Sequence, residues 1–340
     1  MGLNTPATAT AGVVLSLPEG PAVVFLESGR LWVRAGRGAP PVDLGVLGVR
    51  ASLDAAVGPE QVAVVTASDG GPAVTLLGHD LQPLCSLRIP RSWTGLRLAA
   101  RGRGFALAAR GTAGVWVAVI DPACVLSRSL RVADVDVVDV DVAAAGPVVA
   151  VAWTAGSAAG GAVSLGLWRG GALSVRRVHT SGGAVGPVRV AYGDRRFALA
   201  WSDRDTGSTA LRVVTLGARG GPLSEPQRLS ARFAPESAAS VAWDGGAFAL
   251  AWSEPVSGGD PRGFAALVDP AGRRIGTAMR VVTEDPVGLT GPSLVREPGG
   301  FVLGFVRAAG GLDLRRVGPW LCDAPREGDA GAPGGGAGAP

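Results

Sequence analysis

RFALAWSD at 196–203 and AFALAWSE at 247–254 are two copies of one β-strand. Each follows a short strand and a Gly/Asp turn: VRVAYGDR at 188–195 before the first, SVAWDGG at 240–246 before the second. Weaker copies run outward in both directions, as SLVREPGGFVLGFV ending at Val306, VAAAGPVVAVAW at Trp153, LRLAARGRGFALAA at Ala109, SLDAAVGPEQVAVVT at Thr66 and VVLSLPEGPAVVF at Phe25. With the Trp of FALAW as register, the anchors are Phe25, Thr66, Ala109, Trp153, Trp201, Trp252 and Phe305, spaced 41 to 53 residues apart. A fixed period of this length is the mark of a repeat architecture.

Every unit continues alike. A third strand follows a variable loop, as in WVAVI at 116–120 and FAALV at 264–268. A turn comes next, clearest in DPAC at 121–124 and DPAG at 269–272. Asp then Pro suits the first two positions of a type I turn, because Pro fixes φ and Asp bonds back to the backbone. A fourth strand closes the unit, as in CSLRIP at 85–90 and SVRRVHT at 174–180. Gly (53 residues) and Pro (25) punctuate the 340-residue chain too often for ordinary helices, and no window carries a 3.6-residue amphipathic period. The reading is all-β.

The two faces of FALAW select the architecture. Phe197, Leu199 and Trp201 point one way; Ala198, Ala200 and Ser202 point the other. A sheet with one wet face would carry charged or hydroxylated residues there. A bulky face opposed by a small one predicts sheets buried on both sides and stacked radially, each set of rings fitting a neighbour's alanines. Tandem immunoglobulin-like sandwiches would need about twice the period. The expected fold is a seven-bladed β-propeller of four-stranded antiparallel blades over residues 1–320, followed by a disordered Gly/Ala/Pro-rich tail at 323–340. The fourth strand of the last blade is expected from residues 5–10 or from Pro319–Cys322, with the N-terminal segment preferred.

With its loosely repeated G-x-F-x-V-x-W strands and the D-x-x-G turn after them, the chain resembles the large group of bacterial β-propeller repeat proteins. Many of these are uncharacterised and exported. The resemblance covers about residues 10–320 and speaks to architecture, not activity. It is not of the WD40 kind, since no Gly-His to Trp-Asp pairing recurs, nor of the sialidase kind, whose Ser-x-Asp-x-Gly-x-x-Trp boxes are missing from the 3–4 turns.

Composition narrows the function. All 32 basic residues are arginine, and the net charge of +4 is spread without any basic run, which argues against nucleic acid as a partner. No apolar stretch is continuous enough for a transmembrane segment. The first 17 residues lack a positive n-region, so the chain is expected to be exported only if its true start lies upstream of Met1, and cytoplasmic otherwise. Cys85, Cys124 and Cys322 have no metal spacing and read as buried or idle thiols, with a Cys85–Cys124 bridge as the alternative.

Binding residues favour varied loops on a rigid frame. Here those are the 2–3 and 4–1 connections, which share one rim. The ligand-binding candidates on that rim are Trp93, as an exposed aromatic, with Asp203, Arg204, Asp205, Glu254 and Arg262. The Asp134–Asp141 run, RVADVDVVDVDV, could gather carboxylates for a cation, but Asp alternating with Val also describes a half-wet strand; no metal or cofactor is assigned. His79 and His179 fall on opposite rims and cannot form a dyad, and no sequence neighbour orients His179. Nucleophile-elbow, zinc-protease and phosphate-loop patterns are missing. The expectation is a monomeric, non-catalytic binding or scaffold propeller with a protein, peptide or glycan on that rim or over the axial opening. The alternative is a carbohydrate-active enzyme (glycoside hydrolase or lyase) using two rim carboxylates.

Overall fold

The computed structural model describes residues 9–36, 39–46, 52–112, 114–157, 160–204, 209–230, 239–256, 259–281, 289–298, 300–307 and 312–317. Every element among them is a strand, and every strand pair is antiparallel between consecutive strands. The strands form seven sheets, at 9–46, 52–88, 94–133, 137–181, 185–230, 240–281 and 289–317. The first six hold four strands in sequence order, and three strands of the seventh lie among the described residues. First strands of successive sheets touch, and that of the first touches that of the seventh, so the sheets close a ring with their first strands innermost. The protein is a seven-bladed β-propeller.

Core packing follows the pattern of large against small side chains. Phe197, Leu199 and Trp201 of blade five cluster with Ala143, Ala150 and Ala152 of blade four. Trp252 and Leu250 of blade six lie with Ala200 of blade five, and Phe248 lies with Ala198. Phe301, Leu303 and Phe305 of blade seven meet Ala249 and Ala251 of blade six. At the seam, Val302 and Val306 of blade seven meet Val23 and Phe25 of blade one. Trp201 and Trp252 are fully buried, so radial stacking removes both faces of each blade from water. At Gly263 a β-carbon would stand 2.7 Å from the Phe305 ring, and only a hydrogen fits.

The fourth strands form the circumference. They are largely exposed and arginine-bearing, with Arg88, Arg128, Arg176 and Arg177 along them, and such charge discourages pairing at an open edge. The Asp-Pro turns form as the residues dictate. Asp121 O accepts from Cys124 N at 3.0 Å and Asp121 Oδ1 from Val125 N at 3.0 Å; Asp269 does the same with Gly272 and Arg273. The fourth turn residue takes φ 67° at Cys124 and 86° at Gly272. Glycine is the natural occupant of that conformation. Leu81 takes the same conformation in blade two with φ 64°, and Cys124 is joined to Cys85, with Cα atoms 6.3 Å apart. The disulfide ties the outer strand of blade two to the 3–4 turn of blade three and replaces the reading of idle thiols at those two positions.

Of the segments expected to complete blade seven, residues 5–10 enter the described part only at Ala9 and Thr10. Both belong to the innermost strand of blade one, where Ala9 pairs with Glu27. Residues 5–8 and 319–322, and the tail 323–340, lie outside the described residues.

Candidate functional site

Each innermost strand presents one residue at the same register, opposite the residue just before the repeat anchor. Val13 pairs with Val24, Asp54 with Val65, Arg97 with Ala108, Asp141 with Ala152, Arg189 with Ala200, Ser240 with Ala251, and Ser293 with Gly304. These seven positions line one axial cavity of about 420 Å³. Six of the seven are polar.

The reason lies in the backbone. The axis-facing edge of an innermost strand has no further strand to bond, so its N–H groups need other acceptors. Four ring residues supply them to the next blade. Asp54 Oδ2 accepts from Leu98 N at 2.8 Å, and Asp141 Oδ2 from Val190 N at 2.7 Å. Ser240 Oγ accepts from Leu294 N at 3.1 Å, and Ser293 Oγ from Val14 N at 3.0 Å. Arginine has no acceptor atom, so Arg97 and Arg189 interrupt the series. Arg189 is committed elsewhere: its Nη1 donates to Asp139 Oδ2 at 2.7 Å and to Val188 O at 2.5 Å. Arg97 is not. Its Nε is buried without a hydrogen-bond partner, and no ion pair engages it among the described residues.

Charge in this enclosure is correspondingly perturbed. Burial pushes the Asp141 carboxyl up to about 6, with Asp54 adding to the rise and Arg189 and Arg97 opposing it. Burial also raises Asp54, against the pull of Arg97. For Arg189, burial works downward, but Asp139 and Asp141 outweigh it and hold the guanidinium above its ordinary value.

The rim residues have other occupations. Trp93 is 5% exposed and packs on Trp116 with ring centroids 5.6 Å apart, so it is a core residue between blades two and three and not an exposed aromatic. Asp203 is 1% exposed, accepts Ser181 Oγ at 2.5 Å and His179 Nε2 at 3.0 Å, and forms an ion pair with the Arg212 guanidinium at 2.5 Å. Ser181 in turn accepts Gly183 N, and Arg204 N donates to Ala184 O. Asp203 therefore fastens the connection from blade four to the second strand of blade five. Glu254, at the equivalent place in blade six, accepts the Trp252 indole N–H at 2.8 Å. Asp203 is one methylene shorter and turned to His179, and the Trp201 indole nitrogen has no partner among the described residues. Arg204 is exposed. Arg262 lies opposite Glu254 in the strand pairing, and Asp205 lies outside the described residues.

His179 thus has an orienting carboxylate after all, supplied from the next blade. The Asp134–Asp141 run splits: Asp134 and Asp136 are exposed, Asp139 pairs with Arg189, and Asp141 enters the cavity. No group of three or more candidate metal-binding side chains occurs among the described residues. No helix there is long and apolar enough to cross a membrane, a statement that does not touch strands. The axial residues escaped the sequence reading, although a signal existed. Once the units are aligned on their anchors, a polar residue stands at the same register of the first strand in six of seven: SLDAAV, LRLAA, DVDVAA, VRVAY, SVAW and SLVR.

No family model matches the chain, and no curated protein matches it in sequence. Solved structures of the same fold do. The hydrazine synthase of Kuenenia stuttgartiensis aligns with a TM-score of 0.64 at 14% identity, over 93% of this chain and 98% of that one. A mutant of AofleA from Arthrobotrys oligospora aligns at 0.54 and 11%, over 83% and 90%. A prolyl endopeptidase aligns at 0.51 and 12% over 91% of this chain, which spans only 50% of that enzyme. A hydrazine synthase and a prolyl endopeptidase are named for unrelated activities, so the likeness speaks for the propeller and leaves function to the site.

Proposed function

We propose that the protein is a non-catalytic binding propeller whose ligand is a small polar molecule held in the axial cavity. One observation carries this: Arg97 places a guanidinium without hydrogen-bond or ion-pair partner, among the described residues, inside a space of about 420 Å³. A buried donor without an acceptor is costly, and a cavity of this size lies in the range that takes small ligands. The rim supports a site less well, because Trp93, Asp203 and Glu254 are spent on internal contacts. The bridge between Cys85 and Cys124 supports an oxidising compartment.

A thermal-shift screen with small polar compounds tests the assignment. A hit should stabilise the parent and Arg204→Ala alike, and lose its effect on Arg97→Met. A hit abolished by Arg204→Ala but kept by Arg97→Met returns the site to the rim.

The carbohydrate-active alternative keeps one supporting observation, two carboxylates raised by burial in a single cavity. Against it, Asp54 and Asp141 each use an oxygen to hold a neighbouring blade, as the serines at the same register do. Turnover of chromogenic glycosides or uronates that disappears in Asp141→Asn would favour it.

A further inference from the structure

Resting on the axial-cavity reading, we propose that the site recognises a zwitterion, a free amino acid, with the ligand carboxylate on Arg97 and its ammonium group between Asp54 and Asp141.

The ring is not uniformly polar. Its charge is confined to four consecutive blades, in the order Asp54, Arg97, Asp141, Arg189, while Ser240 and Ser293 follow on the other side. Arg189 is paired with Asp139 at 2.7 Å, although its charge still opposes the rise of Asp141 and Asp54. What remains is one guanidinium flanked by two carboxylates, none of them in an ion pair among the described residues. The three act on one another through space, since Arg97 pulls against the rise of both acids.

Each simple ligand satisfies half of this arrangement. A lone anion would meet Arg97 but add negative charge beside Asp54 and Asp141, whose own charged forms burial already disfavours. A lone cation would settle between the carboxylates and leave the Arg97 donors without an acceptor. A molecule carrying both groups on one carbon gives Arg97 a planar two-oxygen acceptor, the geometry a guanidinium binds best. It also gives the carboxylates a cation, and it leaves the net charge of the enclosure unchanged. Asp141 remains able to accept on the oxygen not used by Val190 N. The Ser240 and Ser293 hydroxyls accept backbone N–H groups through oxygen, so their own O–H protons are available as donors toward the rest of the ligand.

Calorimetric titration of the full chain with the twenty free amino acids at neutral pH tests this. The best binder is then compared with its decarboxylated amine and its deaminated acid; for leucine these are isoamylamine and isocaproate. The expected result is an amino acid bound about tenfold or more tightly than either half-molecule, as for a lost charged hydrogen bond. Arg97→Met should abolish the advantage over the amine, and Asp54→Asn with Asp141→Asn the advantage over the acid. Arg97→Lys should restore part of the affinity, and urea unfolding of each variant separates loss of binding from loss of fold. An amine or an acid that binds as tightly as the amino acid overturns the zwitterion. The cavity reading survives that outcome if Arg97→Met or Asp141→Asn still weakens the half-molecule, and falls with it if neither does. Absence of binding by all of these probes also overturns the zwitterion and leaves the cavity to be decided by the wider screen.

Discussion

The backbone N–H of Val14 donates to Ser293 Oγ at 3.0 Å, joining blade one to blade seven across 279 positions of chain. Ser293 stands where Ser240 holds blade seven to blade six, so one register position performs the closing bond and an internal one. Ser293→Ala leaves the Val14 donor at the axis without its acceptor. The expected loss is about 1–2 kcal/mol of stability, read as a lower urea midpoint at unchanged slope. Ser293→Thr, which keeps the hydroxyl, should recover most of it; equal loss in both variants would show that size, not the bond, matters there.

Asp203 and Arg204 are adjacent in sequence and opposite in role. Asp203→Ala removes the carboxylate shared by Ser181, His179 and Arg212 and leaves a buried gap, and should cost about 2–4 kcal/mol. Arg204→Ala removes an exposed side chain and should shift stability by no more than about 0.5 kcal/mol. Chemical denaturation of the two variants distinguishes a structural latch from a surface pair.

The raised carboxyl of Asp141 links stability to pH in a stated direction. Its folded value of about 6 lies above the ordinary aspartate value of 3.8. Between these values the folded state binds more protons than the unfolded one, so this group makes stability fall as pH rises through the window and level off above it. The neighbours that set the value are Asp54, Arg97, Arg189 and the Val190 N–H, with Asp139 on Arg189. Asp141→Asn keeps an oxygen for Val190 N and removes the titration. The stability difference, variant minus parent, should grow from near zero around pH 4 to a plateau above pH 7, of the order of 2–3 kcal/mol. A flat difference would place the carboxyl at an ordinary value.

The Cys85–Cys124 bridge closes a segment of 39 residues. Restricting a loop of that length in the unfolded chain is worth roughly 4 kcal/mol at most. The oxidised protein should show one reactive thiol per chain after unfolding, from Cys322. Cys85→Ser with Cys124→Ser should unfold about 2–4 kcal/mol earlier. Three reactive thiols in protein purified without reductant would count against the bond.

The FALAW copies carried the fold because burial on both faces writes itself into composition locally. A strand that must meet alanines on one side and offer rings on the other shows both in eight residues, as at Arg196–Asp203. The Asp-Pro turns were legible for the same reason: Asp121 and Asp269 bond to residues within four positions. Trp93 was misread because a loop tryptophan looks exposed until the facing strand brings Trp116 under it.

What the amino-acid order determined alone was therefore the repeat, its four strands, and the fact that seven copies must stack side by side. Closing the ring decided the rest. Only then do Asp54, Arg97 and Asp141, more than 40 positions apart from one to the next, come to share one enclosure, and only then does Asp203 meet His179. Hydrophobic pattern is a property of each strand. The meeting of charges around an axis is a property of how many strands there are and how they turn, and no single segment contains it.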